Sequence, residues 1–427
     1  MVVALFIIIT FSFVPSVYAD VSLQALMDES ETGEILRLPA GKYSGNVTIT
    51  KPISIIGEDG VEITSTDHSP VLTIEADNVT IENVSIVDNH KDGDSATIMV
   101  NGDNNDFQQI SIETTGIGMK LLEAHENRLS EIRITGNGSA SLGERGHGID
   151  VWGSHHNTIQ FSTFDSVKDG IYVESSVGNQ IIENKSNNSR YGFHLMFTEK
   201  TMVKGNHASN NTSGIMVMGT EGTEITENRL THNRKSIQSQ GLLLFDVKDA
   251  IVTKNELLDN RIGIYAEIAQ DSELTNNKMQ QNYIGMEFKD SESNRFKQNI
   301  LRENVIQGQA EASSDNDTNG NYWGDFTGLD TDGDGLSNLS YTVDPFFLTL
   351  TSEYPLFQLF FQAPGIEFLK QFMHTPTENW FIDEEPLIAY PLEEDTIEHQ
   401  GSIKTLLLSI VFVLTSTSMI YIGRKAK

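Results

Sequence analysis

Residues 191–197 read YGFHLMF and residues 213–219 read SGIMVMG, one pattern of glycine and alternating side chains displaced by 22 positions. The displacement recurs. A glycine column runs Gly148, Gly170, Gly192, Gly214, Gly241, Gly263 and Gly285, in steps of 22, 22, 22, 27, 22 and 22. An apolar column runs Ile81, Phe107, Leu129, Ile159, Ile181, Val203, Ile225, Val252, Leu274 and Phe296, its longer steps being one period plus a short insertion. A third column is Asn184, Asn206, Asn228, Asn255, Asn277 and Asn299. A fixed period of this length marks a solenoid whose units bury their inner faces only by stacking. Each unit holds short runs of period-two alternation, such as GIYVE and GIMVM, broken by Asn, Asp, Ser and Gly. That is strand and turn chemistry, with no helical segment between. The expected fold is all-β: a right-handed parallel β-helix of about ten coils with a side-chain amide ladder at the asparagine corner. A C-terminal extension and a single transmembrane helix are expected to follow it.

Alternation then assigns faces. Residues one and three after each glycine are apolar and point inward, as Phe193 and Leu195 or Ile215 and Val217 do. Residues two and four after it point outward, because strand side chains alternate. The outward columns read Asp150, Tyr172, His194, Met216, Leu243, Tyr265, Glu287 and Trp152, Glu174, Met196, Met218, Phe245, Glu267, Lys289. His194, Met196, Met216 and Met218 therefore form a two-by-two patch, with rungs about 4.8 Å apart and alternate residues about 6.6 Å apart. Thioethers with an imidazole favour Cu(I) over Mg, Ca or Zn. The bland alternative is that methionine is a flexible packing residue, and Leu243 and Phe245 continue an apolar outer surface.

The 427 residues include no cysteine, which excludes disulfides and thiolate metal sites. A net charge of −31 argues against nucleic acid and anionic membrane surfaces, although solubility alone accounts for most such charges. Residues 1–19 read as a signal peptide: residues 2–19 are almost wholly apolar and end in VYA, but no Lys or Arg precedes the apolar run. Residues 20–345 are assigned to the β-helix. Residues 346–400 are an aromatic and Pro-rich extension, read as short amphipathic helices that dock on a membrane partner or on the chain itself. Residues 401–427 include an uncharged apolar stretch, Thr405–Gly423, followed by RKAK, read as a membrane anchor with a cytoplasmic basic tail. The β-helix is then expected on the extracytoplasmic face of the cell membrane. DTDGDGLSN (Asp330–Asn338) places Asp330, Asp332 and Asp334 at alternate positions, as in a calcium loop. Tyr341 stands where such a loop needs an acidic residue, and a plain Asx-rich turn is the preferred reading.

Several segments together resemble one family. These are RYGFHLMF (190–197), GLLLFDVKDAIVTKN (241–255), GNYWGDFTGLDTDGDGLSNLSY (320–341) and EYPLFQLFFQAPGIEFLKQF (353–372). LPAGKYSGNVTITKPISIIG (38–57) agrees but is common to many exported β-helices. The chain resembles the NosD-type accessory proteins of nitrous oxide reductase over roughly residues 35–392. The resemblance implies a non-enzymatic, copper-binding β-helix that helps mature the reductase's copper-sulfide centre. It implies as partners an ABC transporter permease and ATPase and the reductase itself, with a copper chaperone as a further candidate. The apolar anchor departs from the soluble form expected of the family.

Two other classes compete. Many parallel β-helices cleave or epimerise acidic polysaccharides, which takes two placed carboxylates or a base with a stabilising cation. Asp150 and Glu174 lie on adjacent rungs, yet no Lys or Arg is read in these columns before Lys289. A passive surface-anchored β-helix is the other alternative, and the His-Met patch gives it no support.

Overall fold

The computed structural model describes residues 21–65, 70–89, 93–343, 354–360 and 381–390, with a few further residues between 346 and 372. The leader 1–19 and the apolar stretch 405–423 lie outside the described residues. Among the described residues no helix is long and apolar enough to cross a membrane.

Among the described residues, those from Val21 to Trp323 form a right-handed parallel β-helix of about thirteen turns. One face is a 12-stranded parallel sheet running from Val47–Ile49 to Ile306–Glu311. A 24-stranded sheet supplies the other two faces. Its long strands Thr80–Val87 and Asp106–Glu113 pass through a corner unbroken. Beyond them it divides into two ladders, one starting at Arg128–Ser130 and the other at Arg133–Thr135. The expectation of about ten coils is therefore corrected upward. The early coils lack the glycine and asparagine columns, and their spacing is looser: Val47 pairs with Leu72, and Leu72 with Ile98.

The expected inner column is observed in register. Ile171 pairs with Phe193, Phe193 with Ile215, Ile215 with Leu242, Leu242 with Ile264 and Ile264 with Met286. All six are fully buried. The glycine column answers a close approach. A Cβ on Gly192 would lie 2.5 Å from the carbonyl oxygen of Gly214 and 2.6 Å from the Cβ of Ala208. No side chain fits there, so the period is fixed by backbone contact between coils.

The asparagine column forms the expected ladder. Oδ1 of Asn206 accepts the backbone N–H of Asn184 at 2.8 Å and its Nδ2–H at 3.1 Å. Nδ2 of Asn206 donates to the carbonyl of Ile181 at 2.8 Å. The pattern repeats to Asn321, and a second ladder runs Asn211, Asn233, Asn260, Asn282, Asn304. Buried amides so paired avoid the cost of unsatisfied polar groups at every corner.

Both open ends are covered, as stacked solenoids require. Helix Leu23–Glu29, N-capped by Ser22, buries Leu23 and Met27 over the first coils. At the other end, strand Phe381–Asp383 returns to pair antiparallel with Tyr341–Val343. Phe381 packs against Phe288, Phe296 and Trp323. Asp383 accepts the N–H groups of Gly320 and Asn321 and the Nε1–H of Trp323. It thus ends the asparagine ladder where no further coil supplies an acceptor. This part of the 346–400 segment is a structural cap, which the sequence reading did not separate from a docking extension.

Candidate functional site

The outer face of the 12-stranded sheet is where the sequence placed its candidate ligands. Strand Tyr191–Met196 pairs with Ser213–Glu221, setting His194 beside Met216 and Met196 beside Met218. All four stand on two adjacent rungs, as the period requires. Their exposure differs. The three methionines are half-buried, but His194 is only 6% exposed.

His194 is covered because a third column is polar at this point, the one immediately before the glycines. There Asp169, on strand Asp169–Glu174, is fully buried. Its Oδ2 lies 3.1 Å from Nδ1 of His194. Arg190 grips both of its oxygens, Nε to Oδ1 at 2.9 Å and Nη2 to Oδ2 at 2.6 Å. The N–H of Tyr191 adds a bond at 3.3 Å. Burial alone would raise the Asp169 pKa, but Arg190, His194 and His147 hold it well below the usual carboxylate range. His147, whose Nδ1 is 3.4 Å from Asp169, is pushed down to about 4 by burial, with Asp169 opposing the shift.

Aromatic rings close over the imidazole. Tyr172 lies 4.9 Å from it centroid to centroid, and Tyr191 meets it edge-on at 5.1 Å. Nε2 of His194 is buried and has no hydrogen-bond partner. An orphaned buried imidazole nitrogen beside soft thioethers is a donor set suited to Cu(I). Tyr172 lies near Met196 Sδ, at 3.4 Å, but its hydroxyl is 2.5 Å from Oε2 of Glu174. Its single proton goes to the carboxylate, so the thioether keeps its lone pairs.

Beyond this patch a cleft of about 450 Å³ opens along the same face. Tyr191, Met216, Met218, Leu243 and Phe245 line it, and Ile237, 82% exposed, stands on its wall. Ile237 belongs to the insertion that lengthens the step from Gly214 to Gly241. His194 and Met196 do not line the cleft, so the structure joins the four residues by register but splits them by access.

The sequence reading missed Asp169, Arg190 and His147 because it followed only the columns two and four after the glycines. It also missed a cation. Lys120 stands in the column of Asp150, one coil earlier, with its Nζ 3.5 Å from Oδ2. Lys120 thus precedes Lys289 in these columns, contrary to expectation, because Gly118 extends the glycine column back by one coil across an insertion. Asp150 is 7% exposed, and burial raises its pKa against the pull of Lys120. Asp330, Asp332 and Asp334 come together with ligand atoms within 4.8 Å of one another. Asp330, however, already accepts the N–H groups of Asp332, Gly333 and Gly335, which is the work of an Asx turn.

Residues 130–328 match the family model described as "Periplasmic copper-binding protein (NosD)". The resemblance to NosD-type proteins thus holds over every coil that carries the candidate site. No curated protein matches the chain. Among solved structures, the family 28 exopolygalacturonase of Yersinia enterocolitica aligns with a TM-score of 0.52 at 11% identity, covering 70% of this chain and 75% of that one. PfbA, a surface adhesin of Streptococcus pneumoniae, aligns with a TM-score of 0.49 at 11% identity, covering 70% and 85%. The periplasmic alginate epimerase AlgG aligns with a TM-score of 0.47 at 13% identity, covering 70% and 83%. At these identities the likeness concerns the fold alone.

Proposed function

We propose that this chain is an extracytoplasmic accessory protein that takes up Cu(I) as cargo. The ligands are Nε2 of His194 and the thioethers of Met196, Met216 and Met218. One observation carries the reading: a buried imidazole nitrogen without a partner, beside three half-buried thioethers, within the coils that match a copper-binding family. Copper supplies no reaction step here; the chain's residues bind it, shield it from water and release it. A site without thiolate holds Cu(I) less tightly than one with cysteine, which suits transfer. The destination in this reading is the copper-sulfide centre of nitrous oxide reductase. An ABC transporter permease and ATPase are the partners, a copper chaperone is a candidate donor, and Thr405–Gly423 is the tether at the membrane.

The test is a titration with Cu(I) against a competing chelator. Met196→Leu with Met218→Leu preserves size and apolarity, so folding should persist. His194→Gln removes the nitrogen donor. Each variant should bind Cu(I) at least about tenfold more weakly, the scale expected for a lost ligand-shell group. Wild-type affinity in both would leave the methionines as packing residues and sink the proposal.

A further inference from the structure

We infer that Asp169, paired with Arg190, is a positioning residue that fixes His194 in the tautomer able to accept Cu(I). The inference rests on the copper reading above and adds to it the device that prepares the ligand.

The fold does not require a carboxylate at this position. The equivalent residues one coil at a time onward are Tyr191, Ser213, Gln240, Ile262, Ile284 and Ile306. A buried ion pair is also no bargain for stability, since well-packed apolar residues commonly serve as well or better. Asp169 nonetheless sits fully buried with both oxygens engaged by Arg190. An ionised carboxylate only accepts hydrogen bonds. Nδ1 of His194, 3.1 Å from Oδ2, must therefore carry the proton and donate it. In the neutral ring that leaves Nε2 unprotonated, and Nε2 is the nitrogen with no protein partner. A carboxylate behind a ligating histidine sets tautomer and ring orientation and raises the basicity of the donor. Tyr172 and Tyr191 hold the ring plane from two sides.

The same chain contains the opposite arrangement. His125 and His155 stack 4.9 Å apart, nearly parallel. Nδ1 of His125 accepts the N–H of His155 at 3.0 Å, and Nδ1 of His155 accepts the N–H of Val177 at 3.0 Å. Both must carry their proton on Nε2 when neutral. They cannot offer an Nε2 lone pair while these bonds last, so they serve as an internal reference for the other tautomer.

The experiment is nitrogen-15 NMR of the imidazole rings in the metal-free protein, alongside the Cu(I) competition. Wild-type His194 should show the proton on Nδ1, and His125 and His155 should show it on Nε2. In Asp169→Asn, Arg190 can only donate, so it takes the amide oxygen and leaves the amide NH₂ facing His194. The His194 proton should then move to Nε2, with Cu(I) affinity falling about 10- to 100-fold. Unchanged His125 and His155 signals show that the coils remain folded. Wild-type His194 protonated on Nε2 would overturn the inference without any variant, so a misfolded Asp169→Asn does not protect it. Asp169→Asn with unchanged affinity, or with lost affinity but the proton still on Nδ1, would overturn it as well. Neither result touches the copper reading, which fails if both His194→Gln and the Met196→Leu, Met218→Leu variant bind Cu(I) as the wild type does.

Discussion

One column of one sheet face has two characters. Over the coils from His147 to Gln240, the residue before each glycine is polar: His147, Asp169, Tyr191, Ser213 and Gln240. Over the next coils the same column holds Ile262 and Ile284, each before a glycine, and Ile306, before Gln307; they pair in register and stack into a small apolar cluster with Tyr265, Tyr283, Val305 and Val343. Backbone geometry does not separate the halves, since both belong to the same parallel ladder. The difference lies in what each half packs. In the second, isoleucine fills the position and asks for no partner. In the first, a carboxylate needs Arg190, and an imidazole is left with a nitrogen free. A fold that can be completed with isoleucine has been completed at a cost with ions, and that marks the polar half as the one with a task.

The largest effect should come from forcing the second half to imitate the first. Ile284→Asp would bury a carboxylate where the residue corresponding to Arg190 is Val305. An uncompensated buried charge should cost about 3–5 kcal/mol, read as a shift in urea midpoint at constant slope. Adding Val305→Arg should recover part of the loss. A cost below about 1 kcal/mol, the scale of an exposed substitution, would show that this half of the face is wet and that the contrast is not one of packing.

The next effect concerns pH. His147 is neutral in the folded protein down to about pH 4, against an ordinary value of 6.5. Between these values the unfolded chain binds more protons than the folded one. Stability should therefore fall as pH drops from 6.5 toward 4, by roughly 3 kcal/mol at most. The raised pKa values of Asp150 and Glu287 act in the opposite sense, so the wild-type curve is a sum. His147→Gln isolates the contribution: its stability should lie close to that of the wild type above pH 6.5 and exceed it near pH 4. Parallel curves for the two proteins would place His147 in solvent.

The register of both halves was legible in the sequence because glycine and asparagine recur at positions where nothing else fits. Gly192 touches the backbone of the next coil, and Asn206 completes a hydrogen-bond ladder; each fixes the frame from which Phe193 and Met216 take their faces. The early coils were not legible because they lack both columns. Asp169 was visible as a residue but not as a partner. Its meeting with His194 and Arg190 depends on which column the outer side chains lean across, and alternation alone does not supply that. The cap at Phe381 and Asp383 was hidden for another reason: these residues reach the last coil from a separate segment, so no period announces them.

The smallest effect is the most local. Each half contains a Tyr–Glu pair two residues apart, Tyr172 with Glu174 at 2.5 Å and Tyr265 with Glu267 at 2.9 Å. Lys289 also holds Glu267, at 2.8 Å, whereas among the described residues no cation bridges Glu174. Replacing either tyrosine by phenylalanine removes a hydrogen bond to a charged group that water can partly replace, so about 0.5–1.5 kcal/mol is expected. Tyr265→Phe should lie at the lower end, because Glu267 keeps its lysine. Tyr172→Phe should lie at the upper end and should also disturb Cu(I) binding, because the freed Glu174 carboxylate stands beside Met196 on the neighbouring rung. Urea midpoints and Cu(I) competition on the two variants separate these outcomes. Equal effects of both on copper would show that the patch does not end where the column changes from polar to apolar.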